Sequence, residues 1–299
     1  MASKEDYVAS AEGRIYVEVE GDPEAELVLL ATGGPGASHD HYHPWFSRLL
    51  PEFRVGYVDY IGCGLSDRLD DPAGYSVELL GHNLERICDH LEAEALSLIG
   101  ISFGGFAAVE FALNNPSSVR RLILSNAQVS AAGWQRTNID GVNAELERLF
   151  PAEWREILGL RAGGVASLDE RYQELIALVL PDLEWVDPWG HPPLTRPPHD
   201  RGFEPAVYEA MVGPDPEWEI SGTLCGYDRR GEFAELPDTL VVSGRYDRLT
   251  PPAVADEIFA ELCPQRHSLR IFERSAHRPW AEQPDDYFDV VKSFLAETV

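Results

Sequence analysis

Ser102 lies in the run Gly100-Ile101-Ser102-Phe103-Gly104-Gly105, a G-x-S-x-G pattern. A serine hydroxyl is a poor nucleophile at neutral pH. It needs a base to take its proton and a carboxylate to hold that base. Two later segments offer these partners, Gly244-Arg245-Tyr246-Asp247 and Ser275-Ala276-His277. Serine, acid, then histidine is a chain order in which such groups assemble behind a nucleophile on a sharp strand-to-helix turn. Ser102, Asp247 and His277 are therefore the candidates for acyl transfer through a covalent intermediate. The tetrahedral oxyanion needs two backbone N–H donors. One follows the nucleophile, at Phe103. The other is assigned to the glycine-rich stretch Thr32-Gly33-Gly34-Pro35-Gly36, with Gly34 as donor and Gly33 as alternate. This chemistry calls for no cofactor and no metal.

These residues need strand ends to position them. Short β-rich runs fall at Arg14–Val19, Leu27–Ala31, Val55–Asp59, Leu96–Gly100, Arg121–Ser125, Thr239–Ser243 and Leu269–Phe272. Leu27–Ala31 leads into the glycine loop, Leu96–Gly100 into Ser102, Thr239–Ser243 into Asp247 and Leu269–Phe272 into His277. The other position where an acid could stand, after Arg121–Ser125, holds Asn126. Helical periods separate the runs. They cover Ser76–Glu94, with Ser76 able to cap the first turn, then Phe103–Asn114 and Asp285–Ala296. Strands alternating with such helices imply an α/β fold, a mostly parallel sheet with helices on both faces.

From Ala127 to Leu236 the strand signal vanishes. Helical pieces at Asn143–Phe150 and Leu168–Leu180 alternate with proline-rich connections, which reads as a helical lid over residues 127–236 inserted into a core of residues 1–126 and 237–299. The stretch Pro181–Pro205 carries seven prolines and reads as a loop or flap.

Charge narrows the function further. With 51 Asp and Glu against 24 Lys and Arg, the net charge is −27, and only Lys4 and Lys292 are lysines. A nucleic-acid or anionic-membrane partner would require a basic footprint that is absent. The 44% hydrophobic residues suffice for a large core. The opening residues lack the apolar region of a secretory signal, and no apolar run is long enough to span a bilayer, so a cytoplasmic location is expected. Cys63, Cys88, Cys225 and Cys263 are widely spaced and read as reduced thiols.

The motifs G-G-P-G, Asp59 with Gly62-Cys63-Gly64-Leu65-Ser66-Asp67, G-I-S-F-G-G, G-R-Y-D and the late histidine resemble those of the α/β-hydrolase proline iminopeptidase family. The resemblance covers nearly the whole chain. It implies the α/β-hydrolase fold with a lid, and a serine peptidase activity removing an N-terminal residue. It also implies that a lid glutamate, here Glu217 in Met211–Leu224, binds the free amino group of the substrate. Trp218, beside it, and Gly33 complete the expected substrate-binding set. In two places the chain departs from the family pattern: Arg248 follows the acid where a second glutamate is often found, and Thr32 replaces the usual histidine before G-G-P-G. An aminoacyl amidase acting on a bulky biosynthetic intermediate fits the motifs equally well. An esterase, lactonase or thioesterase with the same triad, and more remotely a ligand receptor of this fold, remain alternatives. The expected partner is a peptide or small molecule bearing a free amine, and the expected state a monomer or small homo-oligomer.

Three further features admit bland readings. His39, His41 and His43 alternate after the glycine loop and invite a zinc hypothesis, but no nearby cysteine completes a site, so no metal is expected. Cys63 near the sheet edge suggests sensitivity to thiol reagents. Trp134, Trp154, Trp185, Trp189 and Trp218 are expected mainly to pack the lid.

Overall fold

The computed structural model describes residues 3–184, 202–262 and 266–297. Trp185, Trp189, Cys263 and most of the proline-rich stretch lie outside them. Eight strands form one sheet: β1 (Lys4–Ala9), β2 (Arg14–Glu20), β3 (Glu26–Ala31), β4 (Phe53–Asp59), β5 (Leu96–Ile101), β6 (Val119–Ser125), β7 (Asp238–Gly244) and β8 (Ser268–Phe272). Their spatial order is β1-β2-β4-β3-β5-β6-β7-β8. The β1–β2 and β2–β4 pairs are antiparallel, and every other pair is parallel.

β1 carries no sequence signal because it is an edge strand whose residues are mostly exposed, with only Val8 buried. The central strands are apolar on both faces and alternate between two cores. Leu29, Leu98, Leu122 and Val241 pack with α1 (Val77–His90) and α2 (Gly104–Asn114). Leu30, Ile99, Ile123 and Val242 pack with α10 (Pro284–Ala296) through Tyr287, Phe288 and Val291. Ser76 caps α1 as expected, accepting from the Leu79 amide.

After β3 the chain runs to β4 on one side, then crosses to β5 on the other. The carboxyl ends of β3 and β5 thus flank the point where strand order reverses, the usual place for a crevice in an open parallel sheet.

Between β6 and β7 the described residues form helices joined by irregular segments: α3 (Ala131–Trp134), a π-helical stretch Gln135–Gly141, α4 (Val142–Leu149), α5 (Pro151–Ala162), α6 (Glu170–Glu184), α7 (Pro205–Val212) and a 3-10 helix Arg230–Glu235. Leu146, Ile157, Tyr172 and Ile176 form a small cluster separate from the sheet cores. The expectation of a loop or flap over Pro181–Pro205 needs correction at both of its ends. α6 runs through Pro181 to Glu184, since a proline in the last turn forfeits only one helical hydrogen bond. Pro151 and Pro205 begin helices rather than interrupting them, as proline can where the amide has no helical acceptor anyway. Pro252 likewise begins α8 (Pro252–Glu261), and Pro279 begins α9 (Pro279–Glu282). No helix among the described residues is long and apolar enough to cross a membrane.

Candidate active site

Ser102 sits on the sharp turn between β5 and α2 with φ +53°, a left-handed conformation unusual for a residue with a side chain. The flanking glycines explain how the turn closes. A Cβ on Gly104 would lie 1.9 Å from the Ala31 carbonyl oxygen, and one on Gly100 would lie 2.7 Å from the Ala108 Cβ. Strand and helix can approach this closely only because both positions lack side chains.

His277 follows β8 and Asp247 follows β7. The His277 Nε2 lies 3.0 Å from the Ser102 Oγ, and its Nδ1 lies 2.8 Å from the Asp247 Oδ2. A carboxylate only accepts, so Nδ1 carries the proton and Nε2 is free to receive the serine proton. Asp247 is itself saturated with donors. Its Oδ1 accepts from the Leu249 and Thr250 amides, each at 2.9 Å, and its Oδ2 also accepts from Asn126 Nδ2 at 2.6 Å.

Asn126, noted in the sequence only as unable to be the acid, thus has a positive part in the site. It takes φ +49°, and its Nδ2 is also within 3.2 Å of the Ala276 carbonyl oxygen, so it ties the acid loop to the histidine loop. Glu282 on α9 was also missed. Its carboxylate accepts from the Ala276 amide at 2.7 Å, and burial pushes its pKa up. Neither residue belongs to a motif, and only the folded arrangement reveals them.

The glycine loop lies against the serine. A Cβ on Gly33 would sit 2.6 Å from the Ile101 carbonyl oxygen and 2.9 Å from the Ser102 Cβ. The Gly33 N–H, the alternate oxyanion donor, already donates to Tyr42 Oη at 2.7 Å. Gly34 takes φ +76° at the start of a turn closed by the Ala37 N–H donating to the Gly34 carbonyl at 2.9 Å. The Phe103 amide stands at the mouth of α2, where helix geometry provides no intrahelical acceptor. Thr32, in place of histidine, is buried and donates to the Val58 carbonyl at 3.3 Å, so the loop is braced to β4.

Residues 26–148 match the family model for the alpha/beta hydrolase fold. The chain is 28% identical to a proline iminopeptidase of Heyndrickxia coagulans over 275 residues, covering 90% of each chain. The solved structure of VinJ superposes with a TM-score of 0.81 at 26% identity, covering 99% of both chains. The proline iminopeptidase of Mycobacterium smegmatis superposes with a TM-score of 0.77 at 24% identity, covering 98% of this chain and 97% of the other. The chain has the α/β-hydrolase fold.

In this hydrolase Glu217 comes from the segment after α7, and its backbone is pinned on both sides. The Glu217 N–H donates to Ser167 Oγ at 3.2 Å, and Asn143 Nδ2 donates to the Glu217 carbonyl at 3.0 Å. Of the carboxylate oxygens, Oε1 has a long contact of 3.4 Å from Gln173 Nε2. Oε2 is shut off from solvent with no hydrogen-bond donor. Burial raises the Glu217 pKa above the ordinary carboxylate range.

That arrangement has a stability consequence. An acid whose folded pKa is raised contributes stability below its unfolded pKa and loses it as pH rises through the folded value. At neutral pH the buried Glu217, with no hydrogen bond to Oε2, is therefore a cost. Glu217→Gln is expected to raise Tm by about 2–4 °C at pH 7.5, with the gain closing toward pH 4. Thermal unfolding by circular dichroism across that range checks this, and a lower Tm at pH 7.5 would show that the oxygen is satisfied.

Trp218 packs within the insertion. It is stacked on Trp154 with ring centroids 6.1 Å apart, and the Arg161 guanidinium lies 4.5 Å from its ring centroid. Arg248 does not leave a bare positive charge beside the acid, because its guanidinium lies 3.6 Å from Glu145 Oε2 on α4. Cys63 is buried and its pKa is pushed up to about 12, chiefly by that burial, so the expected sensitivity to thiol reagents finds no accessible thiolate here.

Proposed function

We propose that the hydrolase cleaves an amide bond next to a free α-amino group, through Ser102, His277 and Asp247. His277 Nε2 takes the Ser102 proton as Oγ attacks the carbonyl carbon. Asp247 keeps the proton on Nδ1 and stabilises the imidazolium. The Gly34 and Phe103 amides receive the oxyanion; Gly33 is assigned to bracing the loop through Tyr42. His277 then gives its proton to the leaving amine, and water repeats the sequence to free the acyl-enzyme. In this reading residues 127–236 are a lid on the core of residues 1–126 and 237–299, and the setting is the cytoplasm.

The observation that carries the substrate assignment is the Glu217 Oε2, a buried carboxylate oxygen with no donor. A substrate ammonium supplies the missing donor and the missing positive charge. Trp218, the next residue, is anchored by Trp154 and Arg161. The relatives' name, proline iminopeptidase, agrees with an N-terminal residue as the acyl group. We assign the leaving group to either a peptide or a bulky amine, the latter making the enzyme an aminoacyl amidase.

Matched chromogenic substrates test the reading: prolyl and alanyl anilides with a free amine, an N-acetylated anilide and a short acyl ester. Free-amine anilides should be preferred. Glu217→Gln should lower kcat/KM for them about 10- to 100-fold, mostly through KM, and leave the ester unchanged. Equal effects on all substrates would remove the amine anchor and leave an esterase.

A further inference from the structure

Apart from the serine site, one other cluster of ligand-type side chains converges among the described residues: Glu18 on β2 with His39 and His43 from the segment after the glycine loop. The two histidines were singled out by their alternation in sequence, but Glu18, far away in the chain, supplies the third member. His41, between them, is not part of the group.

The spacing is that of ligands around one small cation. Glu18 Oε2 lies 3.5 Å from His39 Nε2 and 3.3 Å from His43 Nε2. Ligand atoms at about 2.0–2.1 Å from a tetrahedral zinc are about 3.3 Å from one another. The His43 Nε2 is buried and has no hydrogen-bond partner, although the Glu18 oxygen is near.

The surroundings fix the ligands. His39 Nδ1 lies 2.9 Å from Asp59 Oδ1, which directs Nε2 toward Glu18 and supplies the outer carboxylate commonly found behind a ligating histidine. Asp59 is fully buried, and its other oxygen accepts from the Leu65 amide at 2.8 Å. The His39 ring stacks on Tyr16 with centroids 5.2 Å apart, and the His43 ring on Tyr57 at 3.9 Å. The neighbouring Glu20 is already engaged by Ser47 and Tyr57. His39 is almost fully buried, whereas His43 keeps about a quarter of its side chain exposed, which leaves an entry path.

We propose that Glu18, His39 and His43 bind one divalent transition metal, zinc by ligand type, with water in the fourth position. The metal clamps the loop carrying Tyr42, the residue whose hydroxyl receives the Gly33 N–H beside Ser102. It lies outside the serine chemistry and takes no step in it.

The untagged full chain, stripped with a chelator and desalted, is titrated with zinc chloride by calorimetry, and a parallel sample is loaded with cobalt(II) and its visible spectrum read. One saturable equivalent and an intense tetrahedral cobalt spectrum are expected. Glu18→Gln and His43→Gln should each weaken zinc binding by about 10-fold or more, while His90→Gln, whose partner is Asp6, should not change it. Zinc should raise the Tm of the parent but not of the first two variants. Absence of a saturable equivalent in the parent overturns the proposal whatever the variants do. Unchanged affinity in folded Glu18→Gln or His43→Gln also overturns it, and the cluster is then an imidazolium held between carboxylates.

Discussion

Replacing Ser102 with alanine is expected to lower turnover of the best amide substrate by at least about 10⁴-fold, with KM little changed. Alanine keeps the Cβ, so the turn at φ +53° and the glycine contacts that permit it are undisturbed. What is lost is the Oγ, 3.0 Å from His277 Nε2, that bonds to the carbonyl carbon in the proposed mechanism. The residual rate would be that of water in a site that still binds the substrate and still offers the Gly34 and Phe103 amides. Pre-steady-state kinetics and labelling with a phosphonylating reagent give the check. The parent should show a burst of leaving group and take up one label, and the variant neither. Activity within about 100-fold of the parent would mean that the nucleophile lies elsewhere.

Asp247→Asn should cost about 10³- to 10⁴-fold in kcat. The parent carboxylate accepts on Oδ1 from two backbone amides and on Oδ2 from Asn126 and His277. An asparagine must place its NH₂ on one of these two sides. Toward Leu249 and Thr250 it opposes two N–H groups that cannot turn away. Toward His277 it opposes the Asn126 amide and forces the imidazole proton from Nδ1 to Nε2, where it can no longer accept from serine. Both placements leave donors facing donors in a buried loop, so Tm should fall together with kcat. Circular dichroism at the assay temperature distinguishes this from simple misfolding, because the wrong tautomer leaves a folded enzyme with a low kcat. A variant within 10-fold of the parent would reassign the acid, and Glu282, bonded to the Ala276 amide, would be the next carboxylate to remove.

The serine site was legible because each of its members announces itself in a strand-to-loop transition. β5 into Ser102, β7 into Asp247 and β8 into His277 needed only apolar runs that end in a turn. The residues that hold those members in place were not legible. Asn126 reaches Asp247 from far away in the chain, while Glu282 and Tyr42 act on loops close by in sequence, and no period or motif encodes either kind of contact. β1 was missed because an exposed edge strand has no alternation to read. The helices between β6 and β7 were blurred for a different reason: the proline-rich stretch Pro181–Pro205 reads as a loop, yet Pro181 lies in the last turn of α6 and Pro205 starts α7, and only the surrounding chain tells one use of proline from another. Glu18 shows the same limit in the second cluster. Two histidines two residues apart from His41 were visible, but the carboxylate that joins them comes from a neighbouring strand.

In the proposed mechanism the nucleophile, Ser102, stands before residues 127–236 and both of its partners after them. A nascent chain therefore displays Ser102, the oxyanion loop and the whole of residues 127–236 while it still lacks a base. Its serine is no more reactive than any other until β8 has left the ribosome and docked beside β7. Proteolytic fragments that end within the insertion should likewise be inert, and pairing them with the missing C-terminal piece is what would switch them on.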